Sequence, residues 1–211
     1  MKILFLLILV YSHSALSQSK AVAQLFQGIS KNNLSLVQTA LKEGADPNSL
    51  DQKKNPQTTA LHKALELKRL KIANLLLSYR ADVNQRHPVT GETSLMMAAR
   101  RDLTQFAELL LFFGADVNLE SPSKQSALHL SAFSGSLSVA QLLLKVKDID
   151  VNAQPHLCAL AMAARQGHSS LVLLLKRQSG FKASSPICVE KALEVAEKKT
   201  LDHIVGILTR E

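Results

Sequence analysis

The sequence predicts an all-α fold, a solenoid of stacked helix-turn-helix units joined by hairpin fingertips. Three observations carry this expectation. The pentapeptide GADVN at Gly114–Asn118 has near-copies at Gly44–Asn48 (GADPN), Arg80–Asn84 (RADVN) and Asp148–Asn152 (DIDVN). Upstream of these turns, small and apolar residues recur at helical spacing in two short blocks, as in TSLMMAARRDLTQFAELLLFF, where Asp102 separates the blocks. A Thr-x-Leu marker or its equivalent falls at Thr59, Thr93, Ser126, Cys158 and, more loosely, Lys191, at intervals of 34, 33, 32 and 33 residues. A fixed period of this length means one supersecondary unit per repeat, each unable to bury its apolar face alone.

The elements follow in order. The chain opens MKILFLLILVYSHSALSQ, with one cation at Lys2, an apolar run from Ile3 to Val10, and small residues at Ala15 and Ser17. This is the pattern of a secretory signal peptide, too short to span a membrane, with cleavage expected after Ser17. Residues 1–17 are read as the leader and 18–211 as the repeat domain, about five repeats plus C-terminal capping helices. No Cys follows the apolar run to carry a lipid, so no membrane anchor is expected after cleavage, and the predicted location is periplasmic or secreted. The first helix, AVAQLFQGISKNN, lacks the Thr-x-Leu-His tetrad, and the last unit, KALEVAEKKTLDHIVGILTRE, lacks a closing turn; both read as caps. The linker Ser49–Thr58 is longer than the others, and AQPHL after the fourth repeat is shorter.

Within GADVN the glycine supplies a positive-φ residue that ends the second helix, Val117 and its equivalents turn inward, and the short Asp and Asn side chains satisfy turn backbone. Arg80 in the glycine position predicts weaker packing there. Second-helix leucines, Leu109 among them, are expected to be buried between neighbouring units. Of Phe112 and Phe113, one is expected under the loop and the other partly exposed.

The tetrads at Thr59–His62 and Ser126–His129, the pairs Ala98–Ala99 and Ala163–Ala164, the Gly167–His168 step and the closing GADVN recur together at one period. This combination resembles the ankyrin repeat family over nearly all of the chain beyond the leader. The resemblance implies that His62 and His129 make structural hydrogen bonds that brace the next hairpin. It also implies that partners are bound by the fingertips and by exposed first-helix positions lining a concave side. The two positions after each Ala pair, or its equivalent, are Glu66 and Leu67, Arg100 and Arg101, Phe133 and Ser134, and Arg165 and Gln166. The tips contribute Lys53 and Lys54, Val89 and Thr90, Pro122 and Ser123, and His156. Leu67 and Phe133 beside three arginines have the composition of a protein interface. The alternative is a solvated basic face with two incidental apolar residues.

Chemistry is not expected. No G-x-S-x-G, P-loop or H-E-x-x-H occurs, and His87, His156 and His168 lack a second ligand at zinc spacing. The chain is therefore read as a non-enzyme with no cofactor and no metal. Its 25 Lys and Arg against 17 Asp and Glu leave a net charge of +8, or +7 without Lys2, which favours acidic partners or an anionic surface. Nucleic acid is not expected, because an exported chain rarely meets it and the absence of Trp with 4% aromatics leaves no base-stacking platform. Cys158 occupies the Thr position of the fifth repeat and Cys188 lies three residues before the matching position of the last unit. A disulfide and two buried thiols both remain open.

A small exported ankyrin protein, expected to be monomeric when free, is similar to bacterial periplasmic self-protection (immunity) proteins that inhibit the producer's own DD-endopeptidases. The partner this implies is a periplasmic peptidoglycan hydrolase. Two other readings stand beside it: a secreted effector binding a host protein, and an accessory scaffold for an envelope enzyme.

Overall fold

The computed structural model describes residues 17–51, 57–151, 158–178 and 186–209. The leader before residue 17, the tip residues Lys53, Lys54 and His156, and all of the shortened connection lie outside the described residues.

Twelve helices and no strand are found among the described residues, in two compact units, residues 1–89 and 90–211. The first unit holds α1 (17–30), α2 (Leu34–Lys42), α3 (Ala60–Glu66) and α4 (Leu70–Ser78), with α4 packed on both α3 and α2. The second holds α5 (Ser94–Arg100), α6 (Thr104–Phe112), α7 (Ala127–Ser134), α8 (Leu137–Leu143), α9 (Ala159–Gln166), α10 (Ser169–Lys176), α11 (Pro186–Lys198) and α12 (Asp202–Thr209). There α5, α7, α9 and α11 pack in succession as one layer, and α6, α8, α10 and α12 as the other. The predicted all-α, helix-turn-helix architecture is what these layers are.

The first helix of a repeat begins where its Thr side chain replaces a missing intrahelical acceptor. Thr59 Oγ1 accepts from the His62 backbone N–H at 3.2 Å, and Thr93 Oγ1 from that of Met96 at 3.3 Å. Such a cap is worth about 1 kcal/mol. His62 is wholly buried, with Nδ1 2.7 Å from Thr59 Oγ1 and its ring edge-on to His87 in the following hairpin, centroids 5.2 Å apart. Burial first, and the neighbouring His87 second, push its pKa down to about 3. His129 turns back onto its own cap, its Nδ1 accepting from the Ser126 N–H at 3.2 Å.

The repeated pentapeptide divides its labour. Asp46, Asp82 and Asp116 each accept, at 2.9 Å, from the backbone N–H two residues on and so close their own turns. The Asn reaches the next repeat: Asn48 Oδ1 accepts from Asp82 N at 2.7 Å, and Asn118 Oδ1 from Asp150 N at 2.8 Å. Gly44 and Gly114 take the left-handed backbone the turn demands, and Arg80 is held in it at φ 65°.

Each repeat contains a second left-handed residue, between its two helices, at Asn32, Lys68, Asp102, Gly135, Gly167 and Thr200. Only the Gly167–His168 step pointed to it in the sequence, because four of the six positions are not glycine.

Three expectations about packing are refined. Leu109 is not the buried leucine of α6: the inward line is Phe106, Ala107 and Leu110, and Leu109 is half-exposed, about 100° round the helix from Leu110. Val117 is buried, whereas Val83 and Val151 are only half-buried. Phe112 is 83% exposed and stacks edge-on against the half-buried Phe113. Cys158 and Cys188 form a disulfide with Cα atoms 6.0 Å apart, joining the start of α9 to the first turn of α11. Cys158 thereby supplies a covalent tie at the N-cap position that Thr59, Thr93 and Ser126 occupy in three other repeats.

Candidate protein-binding surface

The layer of α5, α7 and α9 brings three helix ends together, and with them Arg100 and Arg101, Phe133 and Ser134, and Arg165 and Gln166. All six are exposed, including Phe133 at 48%. An exposed phenylalanine between arginines forfeits apolar burial that a partner would restore.

The backbone under these residues is tied from repeat to repeat. His168 Nε2 lies 3.2 Å from the Phe133 carbonyl oxygen, and Lys199 Nζ donates to the Arg165 carbonyl at 2.8 Å. Each bond satisfies a helix-terminal carbonyl that has no intrahelical donor. Asp102 Oδ1, in the turn after α5, accepts from the Val139 N–H of α8 at 3.1 Å and caps that helix. Gly135 is required by the first of these ties: a Cβ there would stand 2.8 Å from Cε1 of the His168 ring. Phe133 is thus presented from a clamped main chain, which lowers the ordering cost of docking on it. His168, Asp102 and Lys199 belong to the surface as supports. The Gly167–His168 dipeptide signalled only the first.

Arg100 is not a free guanidinium. It pairs with the largely buried carboxylate of Glu92, eight residues earlier, at the base of the preceding hairpin. Its charge is partly spent inside the repeat, so Arg101 and Arg165, which make no ion pair among the described residues, are the cations the surface presents outward. Glu92 had no signal in the sequence, because its position is outside the repeat motif.

Glu66 and Leu67 stand at the end of α3 in the first unit, both half-buried. At the tips, Val89 is 61% exposed and its N–H points to His87 Nδ1 at 3.3 Å. Thr90, Pro122 and Ser123 are exposed. Gly91, held at φ 66°, lies close against Pro122, whose Cγ a Cβ there would meet at 2.5 Å. Gly91 is a further tip residue, outside the repeated pentapeptide and tetrad.

Among the described residues no cluster of three His, Cys, Asp or Glu side chains is placed to hold a metal, and no helix is long and apolar enough to cross a membrane. A family model described as ankyrin repeats (three copies) matches residues 25–121 and again residues 95–186. No curated protein matches the chain. Layered helix pairs, Asx-closed hairpins and a family match spanning residues 25 to 186 lead to one conclusion: the chain belongs to the ankyrin repeat family, whose stacked repeats serve as protein–protein interaction modules.

Proposed function

We propose that this chain is exported and works by binding another protein through the ends of α5, α7 and α9, and that the partner is a cell-wall-degrading DD-endopeptidase of the periplasm, which it inhibits. The observation that carries the binding surface is Phe133, half-exposed on a backbone clamped by His168 and flanked by Arg101 and Arg165. An anchor of this kind commonly contributes at least about 2 kcal/mol when it enters a pocket, and rim arginines add orientation and association rate. A rigid surface can cover an active-site mouth without doing chemistry.

Export is supported by the leader-like run from Ile3 to Val10 and by the Cys158–Cys188 disulfide, since disulfides persist in oxidising compartments. An inhibitor of the producer's own hydrolases has to be where they act.

The test is capture from a periplasmic extract followed by a peptidoglycan hydrolysis assay. Wild-type chain should co-purify with an endopeptidase and slow it, while Phe133→Ala should weaken binding by roughly tens-fold with melting unchanged. Enhanced partner activity would replace inhibition with the scaffold reading, and recovery of the chain outside the cell would favour a secreted effector. Retention of the leader in a cytoplasmic pool would overturn the assignment.

A further inference from the structure

The outer face of α11 departs from what a terminal unit of a repeat stack requires. Such units present polar outer faces. On one side α11 buries Cys188, Ala192 and Ala196. Along another runs an open groove floored by Pro186, Val189 and Leu193 and edged by Glu190, Glu194 and Glu197. The two sets interleave at helical spacing, so an apolar stripe and a carboxylate stripe lie side by side. Lys191 donates to Glu194 at 2.7 Å and holds its carboxyl below the usual carboxylate range, while Glu190 and Glu197 make no ion pair among the described residues. With Lys191 and Lys198 included, α11 holds three glutamates against two lysines, so it is weakly negative on a chain of net charge +8.

We propose that this groove docks a cationic amphipathic helix of a partner protein. Its apolar side chains, three and four residues apart, would lie on Val189 and Leu193, and its lysines or arginines would face Glu190 and Glu197. Charge complementarity selects this occupant. A second copy laying its own α11 here would bring two helices of net negative charge together, with Glu190 and Glu197 of each in no ion pair among the described residues, whereas a cationic helix meets both with opposite charge. The chain's excess of Lys and Arg elsewhere repels a cationic helix, which confines its docking to α11. The site is on a different helix from Phe133 and does not depend on the reading of that surface.

The probe is a synthetic peptide of about 18 residues with leucines along one helical face and lysines on the other, titrated by fluorescence anisotropy into the full chain at low salt. Binding should saturate, weaken at least about tenfold in 0.5 M salt, and weaken similarly in Glu190→Gln/Glu197→Gln and in Leu193→Ser. Phe133→Ala should bind the peptide as wild type does. Circular dichroism melts check that each variant is folded, and Val189→Thr, a smaller change, stands in for Leu193→Ser if that variant unfolds.

A peptide with glutamates in place of the lysines should not bind. Absence of saturable binding overturns the proposal, as does equal binding of the glutamate peptide or of the folded carboxylate variants. Concentration-dependent self-association abolished by Leu193→Ser would overturn it in favour of a contact between copies.

Discussion

Residues 1–89 and 90–211 are written in the same repeat yet are held together differently. The first unit carries twelve Lys or Arg against five Asp or Glu, the second thirteen against twelve. In the first, Asn32, Lys68 and Arg80 occupy left-handed backbone and Gly44 is the one glycine there. In the second, Gly91, Gly114, Gly135 and Gly167 take most of those positions, and a disulfide is added. A left-handed residue with a Cβ costs about 1–2 kcal/mol, and unbalanced like charge opposes compaction. The comparison teaches that one motif can be satisfied at unequal cost, and it makes the first unit the softer of the two. The surface carrying Phe133 lies in the stiffer one.

The largest effects should come from the second unit's core. Leu110→Ala should cost about 2–5 kcal/mol in urea titrations, because the cavity has no solvent side, whereas Leu109→Ala should cost less than half as much. Equal losses would mean that the burial pattern of α6 is misread.

Reducing Cys158–Cys188, or replacing Cys188 by Ser, should cost about 3–4 kcal/mol from the loop closed by the bridge. Hydrogen exchange should show lost protection in α9 to α12 with α2 to α4 unaffected. Matching losses in α2 to α4 would break the comparison by making both units one cooperative body.

Acid should act on the first unit. His62 has a folded-state pKa near 3, below its unfolded value, so the unfolded chain takes up the proton first. The stability this group contributes is complete above about pH 6.5 and falls as pH drops toward 3, by up to about 1.4 kcal/mol per unit. By pH 4.5 the first unit should have lost about 2–3 kcal/mol from this source, and a folded His62→Asn variant should flatten the slope. An unchanged slope would show that the buried His62–His87 contact does not set acid stability.

The smallest effect should be a gain. Arg80→Gly removes a Cβ from left-handed backbone and should stabilise the first unit by up to about 1 kcal/mol, while Gly114→Ala in the second should destabilise by a similar amount. A loss on Arg80→Gly would mean that the Arg80 side chain contributes more than its backbone strain.

The sequence by itself determined the period, the pairing of helices and the hairpin turns, because these rest on local rules: helical spacing of apolar residues, Thr or Ser at helix starts, glycine where φ turns positive. It also set Phe133 in register with Arg100 and Arg165, since equal positions in successive repeats share a face. Tertiary structure alone decided what depends on orientation about a helix axis or on reach between repeats. Leu110 rather than Leu109 faces inward because one residue is about 100° of rotation, and no composition rule separates adjacent leucines. Arg100 is drawn to Glu92, and Lys199 to the Arg165 carbonyl, by proximity that the repeat register does not encode. Cys158 and Cys188 meet because their three-residue offset brings the Cα atoms to 6.0 Å, which spacing left open and packing settled.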